Sequence, residues 1–198
     1  HRGKGSSVNM TKTYARTGLF ILLFGLLLSL PLLGHIAKDS GYYGFKTDLP
    51  VPGLPGYQAG DEQLRLVFFG YQNCGTVCPL QLTNLLELHQ RLDGEPVRFV
   101  FVTLDPERDS QQALNATMRA LGENFRAVRP ATQARAQSLA MGFSEYAGKT
   151  GSGENYDFDH SARIYAVTPD NRRHLLYASP ELDLDRVQAD IHKLLGQS

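Results

Sequence analysis

Apolar positions along this chain fall into two periods, and the switches between them mark the elements. Leu64–Phe69 (LRLVFF) is an almost unbroken β-branched and aromatic run, which predicts a buried strand. Helical spacing takes over in Cys78–Leu92, where Leu82, Leu85, Leu86 and Leu88 fall at helix intervals. Val97–Leu104 (VRFVFVTL) predicts a second strand, apolar enough for a sheet interior. Ser110–Leu121 reads as a helix, with Asp109 and Gln112 at capping-box spacing, and Arg135–Tyr146 reads as another. Gly148–Asp159 has no period and is expected to be a glycine-rich loop. Arg163–Thr168 and Arg173–Tyr177 predict a hairpin across Pro169-Asp170-Asn171, and Leu184–Leu195 a closing amphipathic helix.

A strand-helix-strand unit, further helix, a hairpin and a final helix predict an α/β fold of the thioredoxin-like sandwich kind. A different pattern precedes it. Thr17–Ala37 (TGLFILLFGLLLSLPLLGHIA) carries no charge between Arg16 and Lys38, and as a helix would span about 30 Å, the thickness of a bilayer core. Pro31 is compatible with a membrane helix. A cleaved signal peptide would need an unusually long apolar region and would put His35 where a small residue is wanted. The expected organisation is therefore residues 1–9 (HRGKGSSVN) as a cloning remnant and 10–16 as a cytoplasmic N-terminus. A transmembrane anchor follows at 17–37, a linker at 38–63 and the thioredoxin-like domain at 64–198. Lys12 and Arg16 precede the span and no acidic residue comes before Asp39, so the N-terminus is predicted to stay cytoplasmic and the rest to be exported. Tyr42, Tyr43 and Phe45 are placed to sit at the membrane interface. Asp48–Gly60 (DLPVPGLPGYQAG) has the proline and glycine content of an extended linker.

The net charge is zero overall, but four of the 20 Lys/Arg and none of the 20 Asp/Glu lie in residues 1–37. The exported part is therefore mildly acidic with no basic stripe, which argues against nucleic acid as a partner. Cys74 and Cys78 are the only cysteines. In an oxidising compartment a disulfide is the plain expectation for such a pair, although a bond there would staple only a five-residue loop.

Four residues apart at the start of a helix, the two sulfurs fall on one face, within reach of a single ion, and the helix N-terminus favours the thiolate. The usual dithiol oxidoreductase spacing has two intervening residues; here Gly75, Thr76 and Val77 make three. Thioredoxin-like redox proteins also place a cis-proline before the strand facing their cysteines. This chain has no proline between Pro130 and Pro169, and Asp159-His160-Ser161 stands at the corresponding place. An imidazole there would complete a Cys2His set, which suits Cu(I) and equally Zn(II) with a water.

Four stretches together carry a resemblance: Phe68-Phe69-Gly70-Tyr71; Cys74-x-x-x-Cys78-Pro79; Thr103-Leu104-Asp105-Pro106-Glu107-Arg108-Asp109; and Asp159-His160-Ser161 with Tyr165. In this order, across about Leu64 to Leu195, the chain resembles the Sco/SenC family, membrane-tethered copper proteins that help assemble the CuA centre of cytochrome c oxidase. The resemblance implies a thioredoxin fold, copper as Cu(I) or Cu(II), and Cys74, Cys78 and His160 as its ligands. It also implies a copper recipient, an apo cytochrome c oxidase subunit II or another copper-receiving protein, and a periplasmic or intermembrane-space domain. Gly75 and Thr76 stand where the family usually has a proline and an acidic residue, a difference that bears on affinity and partner rather than on the ligand set. The hairpin that commonly precedes the first strand in the family is not evident in Asp48–Gly60.

Other groups have plainer readings. Asp105, Glu107 and Asp109 form a turn and helix cap rather than a hard-metal site. Asp157 and Asp159 are candidates for orienting His160. His89, His174 and His192 lie in helix or strand patterns, His35 ends the apolar span, and Asn115-Ala116-Thr117 matches a glycosylation acceptor inside a helix. The leading expectation is a copper chaperone. The runner-up is an exported thiol-disulfide oxidoreductase using Cys74 and Cys78 as a redox pair to reduce the cysteines of a copper-site partner. A peroxidase lacks the arginine and threonine expected near its cysteine.

Overall fold

A computed structural model describes residues 41–75, 77–153, 155–161 and 163–196. The expected membrane span lies outside these residues; among the described residues no helix is long and apolar enough to cross a membrane. Residues 42–198 form one compact unit.

Its elements in chain order are β1 (Phe45–Pro50), β2 (Leu64–Gly70), α1 (Val77–Arg91), β3 (Val97–Thr103), α2 (Gln111–Leu121) and β4 (Phe125–Val128). Then come α3 (Gln133–Gly142), β5 (Ala147–Ser152), β6 (Asn155–His160), β7 (Ile164–Val167), β8 (Arg172–Tyr177) and α4 (Leu184–Leu194). Six strands make one sheet in the order β1-β8-β7-β2-β3-β4, and β5 and β6 pair separately. β2, β3 and β4 are parallel, with Phe68 opposite Phe101 and Gly70 opposite Thr103, while β7, β8 and β1 run antiparallel. All seven residues of β2 are buried, as its unbroken apolar run requires of a strand covered on both faces.

Alternation along β2 divides the core. Leu64, Leu66 and Phe68 face Leu85, Leu88 and Leu92 of α1, Leu114 and Met118 of α2, and Val187 and Ile191 of α4. Val67 and Phe69 face the other way, onto Leu139 and Ala140 of α3 and Phe143. Each fully buried Leu or Phe stabilises the fold by about 1.5–3 kcal/mol, so this double-faced strand is where the sheet is anchored.

The structure departs from the sequence reading in several places. The stretch 148–159, expected as a loop, falls within the hairpin of β5 and β6, with Ala147 opposite His160 and Ser152 opposite Asn155. Phe158 is the one buried apolar side chain of β6, too little to leave a period in the sequence. β1 lies inside the stretch expected to be linker and pairs with β8 around a bulge. β4 was not foreseen; four residues are too few to show alternation. α2 is capped by Ser110, whose Oγ accepts the Ala113 N–H at 3.1 Å, so Asp109 is not the cap. α3 ends four residues early. Ser144 adopts φ 60° and the Glu145 N–H returns to the Ala140 carbonyl, which turns the chain out of the helix. Tyr43, placed at the membrane interface by its sequence, belongs to the domain, where its N–H donates to buried Asp190.

Candidate metal centre

The site forms where β2, the start of α1 and the end of β6 converge. β2 ends at Gly70 with no room for a side chain: a Cβ there would lie 2.9 Å from Cys78 Sγ and 2.9 Å from the Phe101 ring. The chain then turns, the Cys74 N–H donating to the Tyr71 carbonyl at 3.1 Å. This turn is held by Asp109, whose carboxylate accepts from Thr103 Oγ1 at 2.6 Å and from the Gln72 N–H at 3.2 Å. Burial raises the Asp109 pKa, and those two donors oppose the rise. Cys74 thus sits just before α1 and Cys78 in its first turn.

His160 arrives as the last residue of β6. Tyr71 couples that strand to the cysteine turn: its hydroxyl donates to the Asp157 carboxylate and its ring packs edge-on to Phe158 and His160. His160 Nε2 lies 3.7 Å from Cys74 Sγ and 3.5 Å from Cys78 Sγ. All three donor atoms lie within 4.8 Å of one another, the one such cluster of three or more His, Cys, Asp or Glu side chains among the described residues. Neither cysteine is in a disulfide, and both are buried.

An ion about 2.3 Å from a thiolate and about 2.0 Å from an imidazole nitrogen separates those two atoms by about 3.5–3.8 Å at angles between tetrahedral and trigonal. The observed sulfur–nitrogen distances lie in that span, so the imidazole stands at the spacing from each sulfur that a shared soft ion requires. A groove of about 240 Å³, walled by Tyr71, Pro79, Leu82 and Met118, reaches both cysteines.

Burial pushes the Cys78 thiol well up, and its hydrogen bond with Cys74 adds to the rise. At Cys78 this runs against the expectation that the helix N-terminus would favour the thiolate, since desolvation is the largest influence on that thiol. An ion, which replaces the proton, relieves that cost.

A sequence model of the SCO1/SenC family matches residues 58–196. The chain belongs to the SCO1/SenC family. It is 32% identical over 110 residues to the human mitochondrial protein SCO2 homolog, a match covering 53% of this chain and 41% of that one. With the SCO2-like protein RP587 of Rickettsia prowazekii it shares 29% identity over 117 residues, 55% of each chain. The chain thus matches only about half the length of these curated relatives. Among solved structures, apo Sco1 from Thermus thermophilus superposes with a TM-score of 0.66 at 29% identity, covering 77% of this chain and 96% of that one. Bradyrhizobium japonicum ScoI with copper bound superposes at 0.60 with 22% identity, covering 76% and 99%, a likeness of fold. The mixed α/β architecture is the thioredoxin-like Sco fold.

Against that SCO1/SenC frame the sequence-predicted residues sort clearly. Cys74, Cys78 and His160 come together. The side chains of Asp105, Glu107 and Asp109 do not come together at metal-ligand spacing. Asp105 accepts from Arg108 and from the Tyr156 hydroxyl at 2.7 Å, and Glu107 pairs with Lys149 at 3.8 Å, so both tie the hairpin to the β3–α2 loop. Asp157, expected to orient His160, accepts instead from Tyr71 and the Phe158 N–H, and Asp159 is exposed. The carboxylate set beside the imidazole is Glu145, 4.0 Å from His160 Nδ1, which no motif marked. Asn115 lies within α2 and His89 packs edge-on against Phe99 and Phe125.

Proposed function

We propose that this chain is a copper chaperone that binds one Cu(I) through Cys74, Cys78 and His160 and delivers it to the CuA site of an apo cytochrome c oxidase subunit II. The observation that carries the reading is the cluster of two thiols and one imidazole at ligand spacing in a SCO1/SenC domain. Two soft sulfurs favour Cu(I), and the one imidazole suits either copper oxidation state. Copper is cargo here. A recipient thiolate approaching along the groove at Cys74 and Cys78 displaces His160 first, then the sulfurs, so that copper passes through shared ligands and is never free. Residues 17–37 tether the domain to the membrane, N-terminus in the cytoplasm, which places the site in the periplasm or intermembrane space.

A second reading has its own support, because two sulfurs this close, neither of them in a disulfide, are placed to act as a redox pair. In that role one thiolate attacks a disulfide of the partner, the other resolves the mixed disulfide, and the partner gains two thiols as Cys74 and Cys78 become a disulfide. One experiment separates them. Cu(I)-loaded protein is incubated with reduced apo subunit II and the recipient's copper measured; reduction of oxidised subunit II is followed in parallel. The chaperone reading expects copper transfer to fail in His160→Ala while dithiol exchange survives. Transfer undiminished in that variant contradicts it.

A further inference from the structure

The buried carboxylate at the edge of the site has no part in ligation, yet it is held with unusual care. Glu145 is 3% exposed and lies in the turn between α3 and β5. Its Oε2 accepts the Tyr165 hydroxyl at 2.6 Å, and its Oε1 accepts the Ser161 N–H at 2.7 Å. Ser161 follows His160 directly, and Tyr165 belongs to β7, so the carboxylate is gripped on both sides of the histidine's connection to the sheet. The same Oε1 lies 4.0 Å from His160 Nδ1, on the ring edge opposite the sulfurs.

We infer that Glu145 is a positioning residue for His160, keeping the ring proton on Nδ1 and the Nε2 lone pair turned to Cys74 and Cys78. The inference rests on the reading of these three residues as copper ligands and adds how one of them is aimed. An imidazole offers its lone pair at one nitrogen only when the other carries the proton, and an acceptor at that second nitrogen settles which. At 4.0 Å the carboxylate acts on the Nδ1 proton through its charge rather than through a hydrogen bond. A carboxylate so placed also fixes the ring plane. The turn that delivers it, with Ser144 at φ 60°, is specified locally, so the carboxylate is in place before any ion arrives.

The test reads the ring directly. In reduced full-length protein with 15N-labelled histidine, at mildly alkaline pH, the two ring-nitrogen shifts of His160 report the tautomer; a chelator competition reports Cu(I) affinity. Wild type is expected to carry its proton on Nδ1. Glu145→Ala is expected to mix the tautomers and lower Cu(I) affinity about 10- to 100-fold. Glu145→Gln, whose amide oxygen keeps only a partial negative charge, is expected to fall between the two in tautomer and affinity. A purely structural Glu145 would leave the tautomer untouched. A wild-type proton on Nε2, or a Glu145→Ala protein with unchanged tautomer and affinity, overturns the inference. If Glu145→Ala does not fold, Tyr165→Phe frees one carboxylate oxygen without touching Glu145, and its ring-nitrogen signals are expected to broaden; sharp, unshifted signals overturn the inference as well. Undiminished Cu(I) affinity in His160→Ala sinks the ligand reading itself. A weakened His160→Ala beside an unaffected Glu145→Ala removes only the positioning role.

Discussion

At the scale of single residues the site is a matter of space and protons. Gly70 is there because Cys78 Sγ and the Phe101 ring occupy the volume a Cβ would need. Gly70→Ala should therefore cost about 1–3 kcal/mol of stability and displace Cys78, weakening Cu(I) binding; thermal unfolding and chelator competition measure both. Protons set the pH response. Because the Cys78 pKa is raised by burial, the thiol is protonated at neutral pH and must release its proton when an ion binds. Cu(I) affinity should then rise with pH, up to about tenfold per unit for each proton released, until pH reaches the raised pKa. Affinity flat between mildly acidic and mildly alkaline pH would contradict this. The two cysteines and His160 could be read from the sequence because their motifs are local and chemically distinctive. Glu145 could not: it reaches the site through a turn, 15 residues before His160, and nothing in its neighbours announces a buried acid.

Among the elements, the β5–β6 hairpin carries His160 and owes its place to side chains rather than to the main sheet. Tyr156 is the clasp. Arg108 and Lys149 both lie over its ring, at 3.7 and 3.5 Å from the centroid, and its hydroxyl donates to Asp105. Tyr156→Leu removes these cation–π contacts and one hydrogen bond, a loss of about 1–2 kcal/mol. Amide hydrogen exchange across residues 147–160 should quicken by about 5- to 30-fold while β2 and β3 keep their protection; uniform change across the domain would deny the hairpin this separate attachment. Elements buried on a long apolar face, β2, β3, α1 and α4, were legible because burial imposes a period. The hairpin was not, since the contacts of Tyr156, an ion pair of Lys149 with Glu107 and one buried Phe hold it, and β1 was not, since its residues are largely exposed.

For the molecule as a whole, the sheet brings to one place three donors that lie up to 86 residues apart. The domain that does this begins earlier than the apolar pattern implies. The N–H groups of Tyr43 and Gly44 donate to Asp190 of α4, and β1 covers β8. A protein beginning at residue 41 should be soluble, monomeric and fully stable, whereas one beginning at residue 64 leaves Asp190 buried without those donors and should lose several kcal/mol; denaturant titration of the two compares them. Recovery of the longer one only in detergent would point to a second membrane contact.

The copper-chaperone reading depends on both sulfurs being ligands. The most direct measurement is Cu(I) bound per chain, by titration against a competing chelator with free thiols counted in parallel. It is made for the reduced protein, for the protein with Cys74 and Cys78 closed as a disulfide, and for that protein re-reduced. One tightly bound Cu(I) per reduced chain, none in the oxidised form and full recovery on reduction are predicted, since a disulfide sulfur is no longer a thiolate donor. Cys74→Ala and Cys78→Ala should each behave like the oxidised form. Equal copper uptake by the oxidised and reduced proteins would contradict the account.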